Sequence, residues 1–378
     1  MKIVADDKIP FLKGVFENVC EIEYLPGAQI SNDILKDADA LITRTRTKCN
    51  EESLKGTSVK MIASATIGYD HIDTQWCEAN GIKWTNSPGC NAESVKQYIA
   101  SVFGMLVIEK GWILKGKKLA VVGVGNVGGR IVKLAEALGM IVFKVDPPRE
   151  RKEDQEKFYR LNDIIGEMDI ITFHTPLNRE GEDKTYHLCD SLLLSKMKDT
   201  ALVINSSRGE VVDGEALKKA LAEEQIGAAV LDVWENEPAI DKELMNLVWL
   251  VTPHIAGYSL DGKANGTMMS VQAISKEFNL GLDNWEPNDI PLPKNDKLTI
   301  DCKYLNTEQV VANAFNQTYT IKEDDIRLRM RTDEFEKQRG NYPIRREFKA
   351  FSIDLQNTSD KPVKMLESVG FVNVKKIN

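Results

Sequence analysis

Residues Leu119–Asp146 read "LAVVGVGNVGGRIVKLAEALGMIVFKVD". An apolar run ends on Gly123-x-Gly125-x-x-Gly128, an amphipathic run follows, and a second apolar run closes on Asp146. Strand, glycine turn, helix, strand and terminal acid, in that order, are the context in which such a turn binds a dinucleotide. Gly123 permits the tight turn, Gly125 lets the backbone approach a pyrophosphate, and Gly128 lets helix and strand pack closely. The helix N-terminus offers its N–H groups to the anion. Asp146 suits the ribose hydroxyls and repels a 2′-phosphate, so the expected cofactor is NAD. Arg149 and Arg151, just behind in "DPPRER", are cations that NADP would also use.

The same alternation extends in both directions. After Asp146 come "DIITFHT", "ALVINS", "AAVLDVW" and "LVWLVTPH", apolar at nearly every position, as strands buried on both faces should be. Before it, "KIVA", "CEIEYL", "ALIT", "KMIASA" and "IKWT" alternate with polar helical runs, for which Asn32 and Asp73 are expected N-caps and Gly81 a C-cap. A long helix over about 91–110 separates the two series. Two parallel α/β sheets follow from this pattern. From about Trp285 the chain turns proline-rich and charged, "EPNDIPLPKNDK", which reads as a linker. Strands at "LTIDCKY", "FKAFSIDL" and "GFVNVKKI" and helices at "NTEQVVANAFNQTY" and "KPVKMLESV" then make a small α/β domain.

Composition sets the class. A chain of 378 residues with 42% apolar and 28% charged residues suits two or three globular domains. Its net charge of −8 argues against a general nucleic-acid binder. Six scattered cysteines without a C-x-x-C pair, and only four histidines, point to free thiols and no metal cluster. The N-terminus lacks a signal-peptide core, and the apolar run Ile99–Leu114 is broken by Glu109-Lys110. A cytoplasmic protein without a membrane partner is the expectation.

Three polar stretches close successive strands of the second sheet: Arg208 in "NSSRGE", Glu237 in "LDVWENEP" and His254 in "VTPHIAGYS". Ligands of open α/β sheets bind outside the carboxyl ends of the strands. Arginine there can clamp a carboxylate, histidine can take a hydroxyl proton, and glutamate can orient the imidazole. That is the chemistry of 2-hydroxy acid oxidation. In the first sheet, "ALITRTRTK" ends a strand with Arg44, Arg46 and Lys48 at alternating positions, one face of an extended segment suited to a phosphorylated substrate.

These motifs, with "GVGNVGGR", "HTPLNREGEDKTYHL" and "INSSRGEVVDGEAL", resemble the D-2-hydroxyacid dehydrogenase family over about residues 1–280. The resemblance implies Arg208, Glu237 and His254 as the catalytic set, with His254 as acid/base. Further stretches, "ATIGYDHIDTQWCEANGIKWTNSPGCNAESVKQY" and "HIAGYSLDGKANGT", are similar to a branch of the family acting on a phosphorylated 2-hydroxy acid. That likeness implies substrate contacts at Thr45, Thr66 and Tyr258. It implies NAD contacts at Asn126, Val127, Asp146, Thr175, Asp232 and Gly257, beside the glycines. The implied organisation is a flavodoxin-like lid domain (1–95 and 256–284), a Rossmann NAD-binding domain (96–255), both doubly wound, and a C-terminal dimerisation domain (285–378). Arg345 and Arg346 in that last domain are candidates to help hold the phosphate. Two alternatives stand beside this reading: oxidation of 3-phosphoglycerate, against which "NSPGCNAESV" and "IAGYSLDGK" argue, and a NAD(H)-sensing corepressor.

Overall fold

A computed structural model of the chain describes residues 1–153 and 157–377. It divides into two compact units, Met1–Asn91 with Ser259–Pro291, and Ala92–Tyr258 with Leu292–Asn378.

The first unit is built on a parallel sheet of β1 (Lys2–Asp6), β2 (Glu21–Leu25), β3 (Ala40–Thr43), β4 (Met61–Ser64) and β5 (Lys83–Thr85), in the order β2-β1-β3-β4-β5. β3 and β4 are buried at every position, and apolar clusters around Leu41 and Ile62 on one face and Ile3 and Ile42 on the other explain why. The helix Leu260–Phe278 adds Val271 and Ile274 to the second cluster. It approaches the end of β4 so closely that a Cβ on Gly266 would lie 2.4 Å from the Ala65 carbonyl oxygen. Asp73 caps the helix Thr74–Ala79, accepting the Trp76 N–H, and Gly81 follows it with φ +71°. Asn32 is not a cap: Ser31 takes the N-cap position, and the Asn32 amide donates instead to the carbonyls of Ser53 and Lys55.

The second unit carries β6 (Lys118–Val122), β7 (Ile141–Val145), β8 (Ile170–Phe173), β9 (Leu202–Asn205), β10 (Ala228–Leu231) and β11 (Leu250–Val251) as one parallel sheet, ordered β11-β10-β9-β8-β6-β7. The chain leaves β6 on one side to make β7 and returns on the other to make β8. That reversal is the switch point at which such sheets bind dinucleotides.

The C-terminal segment adds a three-stranded parallel sheet, β12 (Lys297–Asp301), β13 (Ser352–Gln356) and β14 (Asn373–Lys376). Its helix Thr307–Thr318 packs along Ala92–Lys110, close enough that a Cβ on Gly104 would meet Asn316 Oδ1 at 2.8 Å. One apolar cluster joins Phe315, Phe348 and Phe371 to Tyr98, Leu119 and Val121, so this sheet shares a core with the dinucleotide lobe. Two helices that the sequence pattern did not announce, Ile321–Met330 and Phe335–Gly340, complete the attachment. Asp325 accepts the Val251 N–H at 3.0 Å, and Arg329 donates to the carbonyls of Met245 and Val248 at 2.8 and 2.7 Å. Among the described residues, no helix is long and apolar enough to cross a membrane.

Candidate functional site

The glycine turn follows β6, and each glycine answers a different steric demand. Gly123 has φ +83°, and a Cβ there would lie 2.7 Å from the His174 carbonyl oxygen. At Gly128, the first residue of the helix Gly128–Ala137, a Cβ would stand 1.9 Å from the Gly123 oxygen. At Gly125 a Cβ would meet no protein atom within 4 Å, so packing does not explain that glycine. Approach of a ligand to the backbone does. Across the switch point, at the ends of β8 and β9, the buried hydroxyls of Thr175 and Ser206 have no partner among the described residues. A glycine cradle flanked by polar groups without partners fits a dinucleotide.

Asp146 ends β7 and accepts from the Val124 N–H at 2.8 Å and the Arg149 N–H at 3.1 Å, tying the turn to the next helix. Each carboxylate oxygen keeps a lone pair for a ribose hydroxyl. Arg149 is bound to both oxygens of Glu153 at 2.7 Å, and Arg151 pairs with Asp183 and Glu182. Both cations therefore already have anionic partners, which weighs against a 2′-phosphate site. Asn126 is exposed and Val127 half-buried at the helix entry.

Arg208, Glu237 and His254 follow β9, β10 and β11, three adjacent parallel strands. Asn205, buried at the end of β9, shapes the first loop by donating to the Arg208 carbonyl and accepting from the Ser207 N–H and hydroxyl. The first two loops touch at Gly209, where a Cβ would lie 2.0 Å from the Trp234 carbonyl oxygen. Glu237 Oε1 accepts the Trp234 N–H at 2.9 Å, and Oε2 pairs with His254 Nδ1 at 2.8 Å. The carboxylate thus holds the ring by Nδ1 and leaves Nε2 for proton transfer. Burial pushes the other strand-end histidine, His174, down to about 3, and His71 down to about 4. Neither is a competing base near neutral pH.

His254 has φ +57°, a left-handed conformation costing roughly 1–2 kcal/mol for a residue with a Cβ. Its surroundings hold it there. Its N–H donates to the Asp232 carbonyl at 2.6 Å, and the buried Asp232 carboxylate accepts the N–H groups of Ile255 and Ala256 and the Thr252 hydroxyl. Burial pushes that carboxyl up from its ordinary range. Tyr98 bonds the Thr252 hydroxyl, and Trp234 Nε1 donates to the Thr252 carbonyl. Tyr98, Thr252 and Trp234 were not singled out from sequence. Their apolar neighbours mark them only as core residues.

Arg345, expected at a phosphate, is 5% exposed and committed elsewhere. It donates to the carbonyls of Ala256, Ser94 and Ile255 and lies over the Tyr319 ring at 4.4 Å. Its charge is spent on the backbone just past His254. Arg346, 6% exposed, lends its carbonyl to Gln97. In the first unit, the backbone after β3 bends at 45–47, so Arg44, Arg46 and Lys48 do not form the face of an extended strand. Arg44 donates to the Lys8 carbonyl, Thr45 and Arg46 are exposed, and Thr47 is buried against the Gly27 carbonyl. Thr66 shares a hydrogen bond with Ser64 and donates to the Gly68 carbonyl. In the second unit, Gly257 and Tyr258 close the His254 loop, with the Tyr258 N–H on the Ile255 carbonyl.

Among the described residues one His/Asp/Glu group has metal-ligand spacing: His187, Asp213 and Glu235. Its members are already bonded, His187 Nε2 to Glu235 at 2.8 Å, Glu235 to the Gly214 N–H and Asp213 to the Ala216 N–H. The group braces the loops that carry Arg208 and Glu237.

Residues 107–256 match the D-isomer specific 2-hydroxyacid dehydrogenase, NAD binding domain, and residues 290–370 match a family described only as a domain of unknown function. The chain is 46% identical over 359 residues to erythronate-4-phosphate dehydrogenase of Bacteroides thetaiotaomicron, covering 93% of this chain and 99% of that one. It is 39% identical to the protein of the same name from Porphyromonas gingivalis, over 99% of this chain and all of the other. Among solved structures, D-lactate dehydrogenase from Aquifex aeolicus, complexed with NAD and lactic acid, superposes with a TM-score of 0.62 at 25% identity, covering 75% of this chain and 97% of the other.

Proposed function

Since the chain belongs to the D-isomer specific 2-hydroxyacid dehydrogenase family, among the erythronate-4-phosphate dehydrogenases, we propose that it oxidises 4-phospho-D-erythronate to (R)-3-hydroxy-2-oxo-4-phosphooxybutanoate with NAD. Such a reaction suits the synthesis of pyridoxal 5′-phosphate. The observation that carries the reading is the 2.8 Å Glu237–His254 pair, one strand end from Arg208 and in the same sheet as the glycine turn.

Gly123, Gly125, Asn126, Val127, Gly128, Asp146, Thr175, Asp232 and Gly257 hold the cofactor. With NAD held there, the nicotinamide would supply the acceptor for the hydride that leaves the substrate's C2. His254 Nε2 takes the proton of the C2 hydroxyl. Glu237 faces the imidazolium that results, a charge-assisted hydrogen bond that strengthens as the proton arrives. Arg208 anchors the carboxylate with paired donors, fixing which face of C2 is presented. Arg44, Thr45, Arg46, Thr66 and Tyr258 recognise the rest of the substrate, the phosphate included.

The C-terminal sheet ends in two edge strands, β12 and β14, without a further partner strand among the described residues. Edges of this kind are commonly covered by a second chain, and a homodimer through this segment, working in the cytoplasm, completes the proposal. The test of the substrate is initial-rate kinetics with NAD on 4-phospho-D-erythronate and on 3-phosphoglycerate, which is one carbon shorter. The reading requires the larger kcat/KM for the four-carbon acid. A preference for 3-phosphoglycerate overturns it.

A further inference from the structure

The C-terminal segment brings one more cation to the catalytic residues. Arg339 lies in the helix Phe335–Gly340, anchored by Phe335, which is buried in the same apolar cluster as Leu231, Trp234 and Val251. Its Nη1 donates to Glu336 at 2.8 Å and its Nη2 to the Tyr258 hydroxyl at 3.4 Å. The guanidinium carbon sits 5.8 Å from the centre of the Tyr258 ring. Its Nε is buried and has no acceptor among the described residues. Burial opposes the charge, yet Tyr258, Glu336 and Glu237 together hold the guanidinium's pKa above its ordinary value. Arg339 therefore stands within electrostatic reach of the carboxylate that orients His254.

Its neighbours in sequence show what a structural arginine looks like here. Arg329 and Arg345 direct their terminal nitrogens to two and three backbone carbonyls, although the buried Arg345 Nε, like that of Arg339, has no acceptor among the described residues. Among the described residues Arg339 has no carbonyl acceptor; its acceptors there are one carboxylate oxygen and one long contact to a phenol. An arginine whose terminal nitrogens are left this incomplete beside Tyr258, in the loop that follows His254, is suited to an anion, because a buried donor without an acceptor is costly. With 22% of its side chain exposed, it is also reachable.

We propose that Arg339 is an anion-binding residue of the substrate site, donating to an oxygen of the substrate's phosphate beside the Tyr258 hydroxyl. Resting on the function proposed above, this gives the domain of unknown function a task within its own chain. Arg329, Asp325 and Arg345 lock the segment onto β11 and the His254 loop, and Arg339 then carries a positive charge to the substrate. Arg208 is occupied by the carboxylate, so the phosphate, close to a dianion with oxygens enough for Arg339 as well as for Arg44 and Arg46, is the group that Arg339 binds.

The experiment compares 4-phospho-D-erythronate with D-erythronate, which lacks the phosphate, in the full-length wild type and in the Arg339→Gln and Arg339→Lys variants. NAD affinity and melting temperature are measured on each. Arg339→Gln is expected to lower kcat/KM for the phosphorylated acid by roughly 10- to 100-fold, the range of a charge-assisted hydrogen bond. D-erythronate should lose less than about threefold, so discrimination between the two collapses, and Arg339→Lys should fall in between. Equal losses on both acids, or no loss on either, overturn the proposal. If Arg339→Gln does not fold, the same comparison on Arg339→Lys decides. Wild-type protein inactive on 4-phospho-D-erythronate would end the functional reading and this proposal with it, whereas active wild type with an indifferent Arg339→Gln ends this proposal alone.

Discussion

Gly125→Ala and Gly128→Ala place the same methyl three residues apart in one turn, and the structure predicts opposite failures. At Gly128 the new Cβ would stand 1.9 Å from the Gly123 oxygen and 2.9 Å from its carbonyl carbon. Both are backbone atoms, so no side chain can swing away, and the helix Gly128–Ala137 must move off β6. Overpacking of this kind costs about 1–3 kcal/mol, only partly offset by alanine's better helix propensity. For a unit of this size that is a fall in melting temperature of roughly 2–10 °C. At Gly125 the Cβ would touch nothing within 4 Å, and the residue lies outside the left-handed region. Alanine there leaves stability unchanged or raises it by about 0.4–1 kcal/mol through the unfolded chain. It does, however, stand where the backbone must meet a pyrophosphate, and losing one such hydrogen bond to an anion weakens binding by roughly ten- to a hundredfold. Differential scanning fluorimetry and an NADH titration read the two quantities separately. A Gly125→Ala protein that binds NADH normally, or a Gly128→Ala protein as stable as wild type, would refute the reasoning.

Glu237→Gln should lower kcat by roughly 10- to 100-fold, since a neutral amide loses the charge-assisted bond to the imidazolium and cannot accept from both Trp234 N–H and His254 Nδ1 without turning its NH2 toward a donor; steady-state kinetics check this, and an unchanged kcat counts against the pair. Asp146→Ala should narrow the preference for NAD over NADP while weakening NAD binding, because it removes both the ribose acceptor and the tie to the Val124 N–H; if wild-type protein uses NADP as well as NAD, the ion pairs of Arg149 and Arg151 must open. His71 gives a pH dependence. Its folded pKa is depressed to about 4 by burial, against about 6.5 unfolded, so unfolding takes up a proton between those values. This contribution to stability is full above about pH 6.5 and is lost as pH falls toward about 4. Urea denaturation across that window should show a shallower decline in His71→Gln, and an equal slope in both proteins would count against the assignment.

Much of this is legible in the amino-acid sequence. The strands "IITF" and "LVIN" are buried at all four positions, as continuous apolar runs between helices require. The ends of β9, β10 and β11 present Arg208, Glu237 and His254 because a polar residue following a buried strand marks where the sheet meets solvent. What stayed hidden was carried by buried polar contacts, which have no periodicity. "IKEDDIRLRM" reads as a solvated charged helix, yet Asp324 and Asp325 are each 3% exposed. Asp325 and Arg329 serve β11 and the residues before it, a placement no sequence separation of more than 70 residues can announce. Arg345 and Arg346 look alike as a basic pair in "YPIRREF", whereas a cation of that segment that lies beside Tyr258 is Arg339. The bend at 45–47 was missed because alternation of cations imitates a strand, while Thr47 turns inward to the Gly27 carbonyl.

Oxidation of 4-phospho-D-erythronate with NAD, with His254 as the base, is the activity proposed for this chain. It is tested most directly by the rate of NADH formation from the two substrates in wild-type protein and in His254→Ala, with NAD affinity measured on both. Wild-type protein should turn over, the variant should lose ~10²–10⁴-fold, and NAD binding should be unaltered. Wild-type protein without turnover, or a variant that retains near-normal turnover, would contradict it.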